Sequence, residues 1–129
     1  MNLVKRTCMM VMLGACLYLA PANLQAQSTV YEYQLVTTVE SVVPGGLGRS
    51  RMISTDVNGQ MEEVNLVNFF SLVGINFGNI RNNDKMITDK INAMSTAGYE
   101  LHDITSGVYS TESSTGIFIT RYFFRRPKK

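Results

Sequence analysis

His102 is the only histidine of the 129-residue chain, and Asp103 follows it directly. A histidine held by a carboxylate is the working pair of general-base catalysis. Here the two lie in a stretch that reads as strand, where adjacent side chains point to opposite faces. Asp103 is therefore badly placed to orient His102, which reads as a surface or rim histidine. Carboxylates that could take a hard cation occur as Glu62-Glu63 and as Asp84 with Asp89, and they are read more simply as solvated charges. Hydroxyls are supplied by Ser50, Ser54 and the cluster Ser110, Thr111, Ser113, Ser114 and Thr115, none of them in a GxSxG setting. These residues assign no catalytic group, no metal site and no cofactor.

The most specific-looking element is Gly45-Gly46-Leu47-Gly48-Arg49-Ser50-Arg51. Glycine-rich backbone can turn successive N–H groups toward an anion, and two arginines follow it. If residues 49–51 are extended, Arg49 and Arg51 share a face. The segment lacks the GxxxxGK[ST] pattern and leads into no helix, so it does not read as a nucleotide loop. The candidate ligand-binding set is Gly45, Gly46, Gly48, Arg49 and Arg51, set against a plain hairpin turn. A second cationic group, Arg121, Arg125 and Arg126, closes the chain with Lys128 and Lys129. It could meet an anionic surface, or it could guard a strand against edge-to-edge pairing.

What positions these groups begins after a leader. Lys5 and Arg6 precede an almost unbroken apolar run over residues 8–20, and Pro21 ends it. The run is shorter than the ~20 residues of a spanning helix, so residues 1–26 are read as an export signal cut after Ala26. Leu13-Gly14-Ala15-Cys16 also looks like a lipobox, which makes a lipid anchor at Cys16 the alternative. The apolar run continues past Cys16, which favours plain cleavage. With the leader go both cysteines, so thiolate metal sites and cysteine nucleophiles are excluded, and one histidine cannot make a common zinc site. Lys5 and Arg6 go too, which leaves ten basic and ten acidic residues and no net charge. Nothing in that balance points to nucleic acid.

Residues 27–129 then form one domain. Residues 29–43 alternate with a period of two, with Tyr31, Tyr33, Leu35, Thr37 and Val39 on one parity and Glu32, Gln34, Thr38 and Glu40 on the other. That is the pattern of a half-buried strand. Residues 49–56 read as the returning strand of a hairpin, and Asn58-Gly59 as a tight turn. Residues 61–80 are apolar but broken by Gly74 and Gly78, and read as a short helical turn or strand followed by a loop. Asn82-Asn83-Asp84 reads as a helix start, Ile87, Ile91 and Met94 as one helical face, and Gly98 as the stop. The expected helix spans residues 84–97. Strands follow at residues 99–109, with Gly107 a bulge or bend, and 117–126, where apolar residues occupy both parities. The expected fold is α+β: a two-layer sandwich of one amphipathic helix on a mostly antiparallel sheet of about four strands.

Three blocks carry a resemblance: Tyr31-Glu32-Tyr33-Gln34-Leu35-Val36, then Ile91-Asn92-Ala93-Met94 with Ala97-Gly98-Tyr99-Glu100-Leu101, then Arg121-Tyr122-Phe123-Phe124-Arg125-Arg126. In order and spacing this frame resembles the domain-of-unknown-function 4177 family of short bacterial proteins. Tyr99 stands where that family has tryptophan, and residues 44–80 exceed its minimal pattern. The resemblance implies a small α+β fold and brings no activity with it.

The expected function is a non-enzymatic, exported interaction or structural module of the bacterial envelope, periplasmic or secreted, whose partner is itself or another envelope protein. The alternatives are a small-ligand or anion-binding protein using residues 45–51, and a hydrolase with an unrecognised carboxylate site.

Overall fold

The computed structural model describes residues 29–44, 49–56, 59–71, 74–110 and 116–128. The leader with Cys16, the glycines at 45, 46 and 48, Asn58, residues 111–115 of the polar turn and Lys129 lie outside the described residues.

Five strands form one antiparallel sheet: β1 (Tyr31–Val42), β2 (Ser50–Thr55), β3 (Met61–Leu66), β6 (Glu100–Ser110) and β7 (Gly116–Pro127), in the order β3-β2-β1-β7-β6. A two-stranded hairpin, β4 (Phe70–Ser71) with β5 (Gly74–Ile75), precedes the single described helix, α1 (Phe77–Thr96). The α+β layering is as expected. The sheet has more strands than expected, because residues 61–80 resolve into β3, the small hairpin and the first turn of α1.

The helix begins seven residues before the expected 84. Asn76 is the cap: its backbone is extended (φ −106°, ψ 99°), and its side chain accepts from the N–H groups of Gly78 (2.9 Å) and Asn79 (3.2 Å). These are two of the four orphan donors of a helix start. Asn83 sits one and a half turns into the helix and is fully buried. Its side-chain amide bonds the backbone of Val67 in both directions, accepting at 2.9 Å and donating at 2.8 Å. Asn79 donates to the Asn68 carbonyl at 2.7 Å. Asn68, also buried, exchanges the same double bond with Val43 (3.2 and 2.8 Å). The asparagines thus satisfy a turn of buried backbone that has no ladder partner of its own.

The stop at Gly98 is as expected, and its geometry gives the reason. Gly98 has φ +83°, its N–H donates to Ser95 (2.9 Å), and Tyr99 N–H donates to Met94 (3.0 Å). This is a Schellman cap, in which the left-handed residue is best tolerated as glycine.

Between the layers, Val36, Met52, Leu66, Met94 and Phe124 make the core, with Val64, Met86, Ile91, Tyr99 and Tyr122 packed around them. Their cross-strand partners fix the buried side of the sheet: Val36 faces Tyr122, Met52 faces Val64, and Gln34 faces Phe124. Small hydroxyl residues fill the rest of that side, with Thr38, Ser50 and Ser54 all buried. The parity of β1 that reads apolar in the sequence, Tyr31-Tyr33-Leu35-Thr37-Val39, is therefore the one turned away from α1. Among the described residues no helix is long and apolar enough to cross a membrane.

Candidate functional site

The face of the sheet opposite α1 is uncovered by any described element. Residues directly opposed in a ladder share a face, so its surface can be read from the register. Across β1 and β7 run Tyr33 with Arg125, Leu35 with Phe123, Thr37 with Arg121 and Val39 with Ile119. Toward β2 the rows continue through Ile53 and Arg51, and toward β6 through Thr105, opposite Arg121, and Gly107, opposite Ile119. The apolar and aromatic side chains lie along the two central strands, where Tyr33 is 60 % and Leu35 38 % exposed.

Most charges on this face are already matched. Arg125 Nε lies 2.5 Å from Glu100 Oε1, and its guanidinium sits 4.5 Å above the Tyr31 ring. The Glu100 carboxylate pushes the Arg125 pKa up. Arg51 Nε pairs with Glu63 at 2.5 Å. Arg121 is exposed and has no ion pair among the described residues. Beside it a depression of about 340 Å³ opens over Gly107, between Arg121, Tyr109 and Ile119. A Cβ placed on Gly107 would meet nothing within 4 Å, so the glycine leaves the floor low without being forced by a close contact.

The expected sites are rearranged by these placements. Arg121 and Arg125 share the open face, whereas Arg126 lies on the helix side. There Arg126 pairs with Glu32, donates from Nη1 to the Ala97 carbonyl (2.7 Å) and stacks 4.3 Å from the Tyr99 ring. It fastens the end of α1 to the sheet, so the three arginines do not make one surface. Of residues 45–51, Arg49 is exposed beside β2 and Arg51 is held by Glu63 and by the Ser50 carbonyl. The three glycines lie outside the described residues.

His102 occupies an irregularity in the β6–β7 ladder between Leu101 and Asp103. The bulge expected at Gly107 sits here instead, and Gly107 pairs regularly with Ile119. The His102 ring is 6.4 Å from the Tyr33 ring, while Asp103 accepts from the Ile104 N–H (2.8 Å). Among the described residues no group of three histidine, cysteine or acidic side chains could hold a metal ion.

A second concavity, about 500 Å³, lies between the end of α1 and the sheet, with Met94 in its wall. Four of its charges are paired, Arg126 with Glu32 and Lys90 with Glu62 at 2.9 Å, and Asp56 accepts from the Gln60 N–H at 2.8 Å. The Lys90 ammonium holds the Glu62 carboxyl below its usual range. A third polar group, Glu40 with Asn83, Thr38 and Tyr122, is inside the protein. Burial pushes Glu40 and Tyr122 up, with nearby Asp84 adding to both. Thr38 Oγ1 is buried without a hydrogen bond of good geometry, the Tyr122 hydroxyl being its polar neighbour.

Sequence reading missed the open face. The signal for it was present in the alternation of residues 31–39, but that pattern does not say which parity the helix covers. No family model matches the chain, no curated protein is detectably similar to it, and no solved structure matches it.

Proposed function

We propose that this chain is a non-enzymatic, exported interaction module of the bacterial envelope, and that the open sheet face docks a partner protein. One observation carries the reading. Tyr33, Leu35, Ile119 and Phe123 lie together on the adjacent strands β1 and β7, on the sheet face turned away from α1, with Tyr33 and Leu35 exposed and Ile119 and Phe123 partly buried. An antiparallel sheet that faces water on one side ordinarily makes that side polar. Contiguous apolar patches on soluble proteins mark interaction sites. The partner surface this face fits is apolar, with a carboxylate to meet Arg121 beside the depression over Gly107. Export rests on the leader at residues 1–26. The YEY…GYEL…YFFRR frame is the ground for placing the domain with the domain-of-unknown-function 4177 family, which adds a fold and no activity.

The test is photo-crosslinking in cells that make the complete chain, with a photoreactive residue at Leu35 or, as control, at Asp89 on the outer side of α1. The expected result is a discrete adduct with another protein from position 35, absent from position 89 and weakened by Arg121→Glu. No adduct from position 35, or adducts only with a second copy of this chain, would overturn the reading.

A further inference from the structure

The two edges of the main sheet are built differently. At one edge, β3 is six residues long and carries Glu62 and Glu63. Short, charged edge strands resist pairing with other chains. At the other edge, β6 is eleven residues long and every one of them is exposed. Beyond Asp103 it reads Ile104-Thr105-Ser106-Gly107-Val108-Tyr109-Ser110, with no charge and no proline. Its ladder with β7 runs without irregularity from Asp103 to Ser110. Ile104 and Val108 stay 50 % and 63 % exposed on the helix side of the sheet. From Ile104 to Ser110 this edge lacks the charges, prolines and bulges that usually protect one, all of its irregularity and charge lying at residues 100–103.

We infer that β6 pairs antiparallel with β6 of a second copy of this chain about a two-fold axis through Ser106, joining the two sheets into one of ten strands. The self-complementarity of the strand selects both occupant and register. Centring on Ser106 sets Ile104 opposite Val108 of the second copy and, by symmetry, Val108 opposite Ile104. Aliphatic side chains then meet on the helix side, where each is now exposed. On the other face Thr105 stands opposite Gly107, and Asp103 opposite Tyr109. No like charges face each other. A parallel pairing in register would set Glu100 against Glu100 and Asp103 against Asp103, which costs stability. A shift of one residue would move every apolar pair to mismatched faces.

The register also determines the shape of the dimer. Opposed residues in a ladder share a face, so the two helices lie on one side and both open faces on the other. The inference stands apart from the docking role of the open face. It uses the backbone and side chains of the edge; in the dimer the open face over β1 and β7 stays exposed, and Thr105 of the second copy borders the depression over Gly107.

The test is a charge swap read by analytical ultracentrifugation on protein purified from cells expressing the complete chain. Wild type is expected to be dimeric at about 100 μM, a concentration that detects even weak pairing. Ile104→Glu alone and Val108→Lys alone should each be monomeric. Their equimolar mixture should recover dimer, with association at least about tenfold tighter than either variant alone, because the carboxylate introduced in one copy then faces the ammonium introduced in the other. Both positions are exposed in the monomer, and circular dichroism of each variant checks that the fold is kept. Leu35→Asp, on the open face, should leave the dimer intact. A monomeric wild type, single variants that still dimerise, or a mixture that fails to recover dimer would each overturn the inference. A dimer lost in Leu35→Asp but kept in the Ile104 and Val108 variants would place self-association on the open face instead.

Discussion

The side-chain amide of Asn83 on α1 donates to Glu40 on β1 at 3.0 Å, so that a buried amide in the helix holds a half-buried acid in the sheet. Burial is the largest influence on Glu40 and raises its pKa above the ordinary value near 4.5. The Asn83 bond opposes that rise, and the Asp84 charge adds to it. Between the unfolded value and the raised native one, the folded chain binds more protons than the unfolded chain. Stability therefore falls as pH climbs through that window and is level above it. Glu40→Gln keeps an acceptor for Asn83 and removes the charge. The variant is expected to match wild type at about pH 4, where Glu40 is mostly protonated in both states, and to be the more stable of the two at about pH 7. Urea denaturation at the two pH values checks this, and a pH-independent difference would contradict it.

The start of α1 separates two asparagines that look alike in the sequence. Asn76 accepts two helix N–H groups, while Asn82 is exposed and its side-chain amide donates to Met86 Sδ at 3.7 Å. Asn76→Ala should cost about 1 kcal/mol, the usual worth of a lost cap. Asn82→Ala should stay within about 0.5 kcal/mol of wild type, as surface changes do. Equal losses by thermal or urea denaturation would return the cap to the 82–84 segment.

The local signals of this sequence were legible where backbone chemistry sets them. The alternation in residues 29–43, the stripe Ile87-Ile91-Met94 and the left-handed stop at Gly98 each correspond to an observed element. Two things were not legible. Asn82-Asn83-Asp84 imitates a cap because asparagine is good at capping, but Asn83 is spent on Val67 and Glu40, a tertiary use with no local signature. The apolar parity of β1 suggests a core, yet the helix side of the sheet is filled by Val36, Thr38, Ser50 and Ser54 around Met52 and Phe124. Small hydroxyls let the layers approach closely, and their burial cannot be told from an exposed polar face by period alone. Of the candidate site, Arg121 was legible as a cation, but not as one left without an ion pair among the described residues of the open face.

The two adjacent phenylalanines of β7 test this facing directly. Phe124 is 1 % exposed and lies in the core, whereas Phe123 is opposite Leu35 on the open face. Phe124→Ala should cost about 3–5 kcal/mol, the range for emptying a buried aromatic site. Phe123→Ala should cost less, about 1–2 kcal/mol, since that ring is only partly buried within the domain. Denaturation of the two variants side by side would reverse this order if the helix covered the other parity.

Arg126 makes three contacts with one side chain: it pairs with Glu32 on β1, donates to the Ala97 carbonyl at the end of α1 and lies over the Tyr99 ring. A planar guanidinium holds these contacts in one rigid geometry with a flat face for the ring, whereas an ammonium is a point charge on a flexible stem. Arg126→Lys should therefore behave like Arg126→Ala, with faster hydrogen exchange at the Gly98 and Tyr99 amides, which close the cap by donating to Ser95 and Met94. Arg125→Lys serves as the control, because Arg125 contacts Glu100 and Tyr31 on the opposite face. Its exchange at Gly98 and Tyr99 should match wild type. If Arg126→Lys also left those two amides unchanged, charge alone would suffice there, and the fork would not be what holds the helix end to the sheet.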